Sequence, residues 1–164
     1  MSTQKFEFDP SEITGFAQWA IRQMAELYKL GDKDSGYLTA RSLEDGRVLL
    51  VAQINECPAE KFASRFRNSM EKGERLFGHP DHVSSWQSRD VEKENEADKK
   101  WGGAIKAKIA GLIVSFSGLP EKADEALCVA IARRFGWLNQ DEVKAIFRAS
   151  NNENGPSAIV ITAG

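Results

Sequence analysis

The stretch Trp101 to Cys128, WGGAIKAKIAGLIVSFSGLPEKADEALC, holds a glycine pair, two short apolar runs around Ala110-Gly111, a third glycine with a proline, and an acidic helix start. Residues 104–109 and 112–117 combine β-branched side chains with a central glycine, which predicts a hairpin. Gly118 and Pro120 then break the strand, and Glu121, Asp124 and Glu125 suit the positive end of a helix. That helix is expected over 121–135, with Ala123, Ala126, Leu127, Ala130, Ile131 and Phe135 on one face.

Working outward, 36–54 reads as an earlier hairpin that turns at Glu44, Asp45 and Gly46. Its second arm, 48–54, is apolar at nearly every position, which predicts a central strand covered on both faces. A helix is expected over 58–77, with Phe62, Phe66, Ser69, Met70 and Phe77 facing one way and Arg65, Arg67 and Lys72 elsewhere. Near the start, Asp9 and Pro10 form a cap and first turn. The apolar stripe Ile13, Phe16, Ala17, Ala20, Ile21, Met24, Leu27 and Tyr28 follows, and Gly31 stops the helix. Beyond the second hairpin, a helix over 140–149 capped by Asn139 precedes an apolar tail, SAIVITAG, that reads as a strand. The charged segment at about 81–100 lacks periodicity and reads as a surface excursion, partly disordered, anchored by Val83 and Trp86.

The chain has 164 residues, the usual size of one domain, and no internal repeat. Its 22 Lys and Arg against 24 Asp and Glu give a formal charge of −2, which argues against nucleic acid or anionic membrane as a partner. The first residues lack the apolar core of a secretion signal, and no apolar run reaches the roughly 20 residues of a membrane helix. Cys57 and Cys128 are far apart and read as reduced thiols. A cytoplasmic protein is expected.

Gly118-Leu119-Pro120 before a helix could offer free N–H groups to a carboxylate or phosphate, with Ser117 adding a hydroxyl. The plainer reading is that Gly118 permits a sharp turn and Pro120 starts the helix. Gly102-Gly103 could let a ligand approach the backbone or be the loose end of the charged loop. His79 and His82 could bind a metal or haem iron, act as bases, or cap the preceding helix. Arg65 and Arg67, two apart on a helix, point to different sides and read as solvated or ion-paired. Cys128 reads as a small buried side chain. No Ser-His-Asp order, P-loop or dinucleotide fingerprint occurs, so no catalytic residue is assigned and the sequence establishes no enzymatic chemistry.

The segment GGAIKAKIAGLIVSFSGLPEKADEALCVAIARRF resembles the haem-degrading-domain-like family in its glycine pair, glycine-preceded strand, Ser-Gly turn and acidic-Ala helix start. That family includes GlcG-type proteins, extracellular haem-binding sensors and the C-terminal domain of some corrinoid adenosyltransferases. RFRNSMEKGERLFGH is similar to its uncharacterised cytosolic branch. The likeness spans 57–135; the excursion at 81–100 and an additional C-terminal helix and strand at 138–164 lie outside the family pattern. The resemblance implies a three-layer α/β/α, profilin-like fold with a mostly antiparallel sheet, and subunits that form dimers or larger homo-oligomers. For some relatives it also implies haem, iron or another small ligand, so haem is a candidate cofactor here.

The combined expectation is a single-domain, cytoplasmic homo-oligomer that binds a small anionic or haem-like ligand at the hairpin-to-helix junction. Gly103, Ser117 and Gly118 would supply backbone or hydroxyl contacts, His79 an imidazole, and Asp124 or Glu125 would orient their neighbours. The alternative is a non-catalytic protein-interaction module that recruits a partner through the charged loop and C-terminal strand. Haem or iron-dependent degradation is the weakest of three readings, because no complete ligand set can be read.

Overall fold

Asp9 accepts the N–H groups of Ser11 and Glu12 at 3.0 and 3.3 Å, and with Pro10 in the first turn it starts helix α1, Pro10–Leu27. The computed structural model describes residues 9–163. Strands β1 (Gly36–Ser42) and β2 (Val48–Ile54) follow, then helix α2 (Phe62–Phe77), strands β3 (Ala104–Ala107) and β4 (Leu112–Ser117), and helices α3 (Glu121–Arg134), α4 (Gln140–Ser150) and α5 (Gly155–Thr162). The four strands form one sheet in the order β2-β1-β4-β3, with every neighbouring pair antiparallel.

Alternation along β1 and β4 assigns the two faces of the sheet. Leu38, Val114 and Phe116 join Ile105 in the main apolar core with α1 and α3. The other face meets α2 and is largely polar, apart from a small apolar cluster of Ala104 and Ile113 with Leu76. Thr39 Oγ1 lies 3.1 Å from Ser69 Oγ, Arg41 Nη2 donates to Met70 O at 3.0 Å, and Ser115 Oγ donates to Ser69 O at 2.7 Å. Helices thus cover both faces, which bears out the three-layer α/β/α arrangement with an antiparallel sheet.

Four local expectations need correction. First, β2 is an edge strand, not a central one, and Val48, Leu49 and Val51 are exposed. A continuous apolar run signals strand propensity whichever place the strand takes, so it could not tell centre from edge. Second, α2 begins after a 3₁₀ turn at Ala59–Lys61 and buries Ser69, Lys72, Gly73 and Leu76, leaving Phe62, Phe66 and Phe77 exposed. Third, the tail is helical, with Pro156 in the first turn and Ala158 and Thr162 buried. Contact with α1 and α3 overrides the strand preference of Ile159, Val160 and Ile161.

Fourth, the excursion is built in. It forms 3₁₀ turns at Ser85–Ser88 and Glu96–Asp98, pairs Ser84 with Ile105 and Asp90 with Lys100, and buries Ser84 and Ser85. Arg75 of α2 grips it, donating to Ser85 O at 2.9 Å, to Ser88 Oγ at 2.5 Å and to Trp101 O.

Candidate functional site

The end of β4 passes the start of β1 so closely that neither backbone has room for a side chain. A Cβ on Gly118 would stand 2.1 Å from Ser35 O, and one on Gly36 would stand 2.2 Å from Ser117 O. This crossing sets the turn into α3, so Gly118 is required by packing.

Past the crossing, a cleft of about 490 Å³ opens between α2 and the start of α3. It is lined by Lys33, Lys61, Arg65, Asn68 and Lys72 on one side and by Trp101 and residues 117–121 with Asp124 on the other. Ser117 is 6 % exposed, and its hydroxyl makes no hydrogen bond among the described residues. No side chain caps α3, whose first intrahelical bond runs from Asp124 N to Pro120 O. The N–H groups of the first turn are therefore left without helical partners beside the cleft.

Charge accumulates there without internal compensation. Lys33, Lys61 and Arg65 form no ion pair among the described residues. Arg65 Nη1 instead donates to Ser35 Oγ at 2.8 Å and contacts Cys57 Sγ at 3.3 Å, which corrects the expectation of a merely solvated or ion-paired arginine. The two carboxylates that line the cleft are already engaged. Glu121 accepts Arg89 Nη2 at 2.6 Å and Gly102 N at 2.8 Å. Asp124 accepts Lys72 Nζ at 2.9 Å and Leu119 N at 2.8 Å.

The Lys72–Asp124 pair forms the floor. Lys72 also donates to Phe116 O at 2.8 Å. Burial pushes the Asp124 carboxyl up to about 7, against the pull of the Lys72 ammonium and the Leu119 N–H. Gly103 makes room for the pair: at φ +122°, a Cβ there would stand 2.8 Å from both Lys72 Nζ and Asp124 Cβ. It is buried behind the cleft rather than on its wall, so the expected backbone contact from Gly103 to a ligand is corrected to a packing role.

Glu125 also faces away from the cleft. Its carboxylate accepts Ser84 Oγ and Ser150 Oγ, each at 2.5 Å, and Asn152 Nδ2 at 3.2 Å, binding the excursion and the end of α4 to α3. Burial raises its pKa above the ordinary carboxylate value. Cys128 is buried as expected, 3.3 Å from Gly103 O, and burial pushes its thiol well up.

His79 stands apart from the cleft. It follows the far end of α2, about 20 Å along the helix from Arg65 at the normal α-helical rise. Its Nδ1 donates to Arg75 O at 2.7 Å, and its ring stacks on His82 at 4.7 Å. Lys106 Nζ donates to His79 O at 2.6 Å and Pro80 O at 3.2 Å, completing the helix cap. The expected meeting of His79 with the junction does not occur. No histidine lines the cleft, so it presents no axial imidazole to haem iron. Among the described residues, no group of three or more His, Cys, Asp or Glu side chains could hold a metal ion.

Of the expected site residues, Ser117, Gly118 and Asp124 meet at one cleft, while His79, Gly103 and Glu125 do not line it. Lys33, Lys61, Asn68 and Lys72 were missed. The readable signal for Lys72 was its spacing: Arg65, Ser69, Lys72 and Leu76 lie on one helical stripe that also holds Gly73. No protein-family model, curated protein or solved structure matches the chain. Among the described residues no helix is long and apolar enough to cross a membrane.

Proposed function

We propose that the protein binds a small anionic ligand in the cleft between α2 and the start of α3. One observation carries this reading: three cations without carboxylate partners, Lys33, Lys61 and Arg65, line the same cleft as an uncapped helix start. Such a start attracts negative charge through its free N–H groups and its dipole. Haem is the less suitable occupant, because His79 caps α2 at its other end. The two unpaired cysteines support a cytoplasmic setting.

Titration of ¹⁵N-labelled protein with phosphate, sulfate, citrate and benzoate tests the proposal through the amide signals of Ser117, Leu119 and Lys122. At least one anion is expected to shift them saturably, with Arg65→Ala weakening that response and His79→Ala leaving it unchanged. A flat response to every anion would refute the reading.

Homo-oligomerisation is a second proposal, supported by the exposed apolar edge of the sheet. Leu49 and Val51 of β2 lie open, as do Phe62 and Phe66 of α2, which flank Tyr37 at ring distances of 5.2 and 5.6 Å. An open edge of this kind is costly to leave unpaired.

A further inference from the structure

We infer that the anion taken by the cleft is the phosphoryl group of a small phosphomonoester, seated at the start of α3 with the rest of the molecule against Trp101. This rests on the anion-binding reading of the same cleft and adds the chemical class of the ligand.

The donor inventory favours phosphate over carboxylate. The first turn of α3 leaves the N–H groups of Glu121, Lys122 and Ala123 without helical partners, and of these residues Glu121 lines the cleft. Ser117, a residue only 6 % exposed, adds a hydroxyl with no partner among the described residues. Arg65 brings a planar fork of donors, and Lys33 and Lys61 bring mobile point charges. A carboxylate has two oxygens and one negative charge. A phosphomonoester has three terminal oxygens and about 1.5 to 2 negative charges at neutral pH. The latter is the better match for three cations without carboxylate partners, the Glu121 N–H and the Ser117 hydroxyl on one cleft.

The carboxylates nearby do not oppose such a ligand strongly. Asp124 is held by Lys72 and Leu119, and Glu121 by Arg89 and the Gly102 N–H. Each is matched by a cation of its own, so the surplus positive charge remains. The cleft volume of about 490 Å³ exceeds the needs of inorganic phosphate and suits a compact organic ester. Trp101 on the wall offers that organic part an aromatic surface.

The test compares phenyl phosphate, benzoate and phenol by ¹⁵N amide shifts and calorimetry on the full chain. Phenyl phosphate is expected to saturate at one per subunit and to bind at least tenfold more tightly than benzoate, with phenol inert. Ser117→Ala should weaken phenyl phosphate about fivefold or more while benzoate changes less than twofold. Equal or tighter binding of benzoate would overturn the phosphoryl assignment and leave the anion-binding reading standing. No saturable shift with either anion at Ser117 and Lys122 would overturn both. The comparison of ligands on the unmodified protein needs no variant, so misfolding of Ser117→Ala cannot obscure it.

Discussion

Lys72 Nζ lies 2.9 Å from Asp124 Oδ2, both side chains are 2 % exposed, and the pair joins the helix on one face of the sheet to the helix on the other. Above pH 7.5, where Asp124 is ionised, breaking it by Lys72→Met should cost about 3–5 kcal/mol, because a buried carboxylate loses its cation. Replacing both partners, as Lys72→Met with Asp124→Leu, should cost less than the sum of the single changes. Urea unfolding of the four proteins measures this, and strict additivity would contradict a coupled pair.

The raised pKa of Asp124 makes stability fall as pH rises. The folded carboxyl holds its proton up to about 7, whereas the unfolded one releases it near the ordinary value of about 3.9. Between those values the native state binds more protons, so alkalinity favours unfolding. Glu125, also raised by burial, acts with the same sign. The urea midpoint should therefore drop between pH 5 and pH 7.5, and Asp124→Asn should flatten the slope. A wild-type midpoint that rises across this window would contradict the assignment.

Two glycines should respond oppositely to alanine. Gly103→Ala meets the Lys72–Asp124 pair at 2.8 Å and holds φ at +122°, so a loss of at least about 2 kcal/mol is expected. Gly15 lies in α1 with nothing within 4 Å of its added Cβ, so Gly15→Ala should gain up to about 1 kcal/mol. Thermal unfolding of both variants provides the measurement.

The exposed edge of the sheet should govern assembly. Light scattering at micromolar concentration is expected to give a dimer or larger species, and Val51→Lys, placing a charge on the β2 edge, should shift it toward monomer. Ile161→Lys on α5 should have the smaller effect. A monomer in the unmodified protein would reject this proposal.

The legible parts of the fold were those fixed by local chemistry. Asp9-Pro10, Asn139, and the glycines at 46 and 111 marked element boundaries because capping and positive φ act over a few residues. The place of β2 in the sheet and the helical state of 155–162 depend on distant contacts, which a run of Val, Leu and Ile does not encode. The cleft was half legible: Ser117, Gly118 and Asp124 belong to the segment whose turn was readable. Its cations come from the turn after α1, from the 3₁₀ turn before α2 and from α2, and only the folded chain brings them to the same opening.

The polar face under α2 makes that helix the least hydrophobically anchored layer of the fold. Of its buried stripe, Ser69, Lys72 and Gly73 meet polar groups and only Leu76 joins a small apolar cluster with Ala104 and Ile113, whereas α3 buries every residue from Ala123 to Ala132, most of them apolar. Under native conditions α2 should detach as its own opening unit, so its amide protons would exchange with solvent sooner than those of α3. A molecule clasped between Arg65 and the α3 start would hold that unit shut, and ligand occupancy would then register as slowed exchange along the whole of α2.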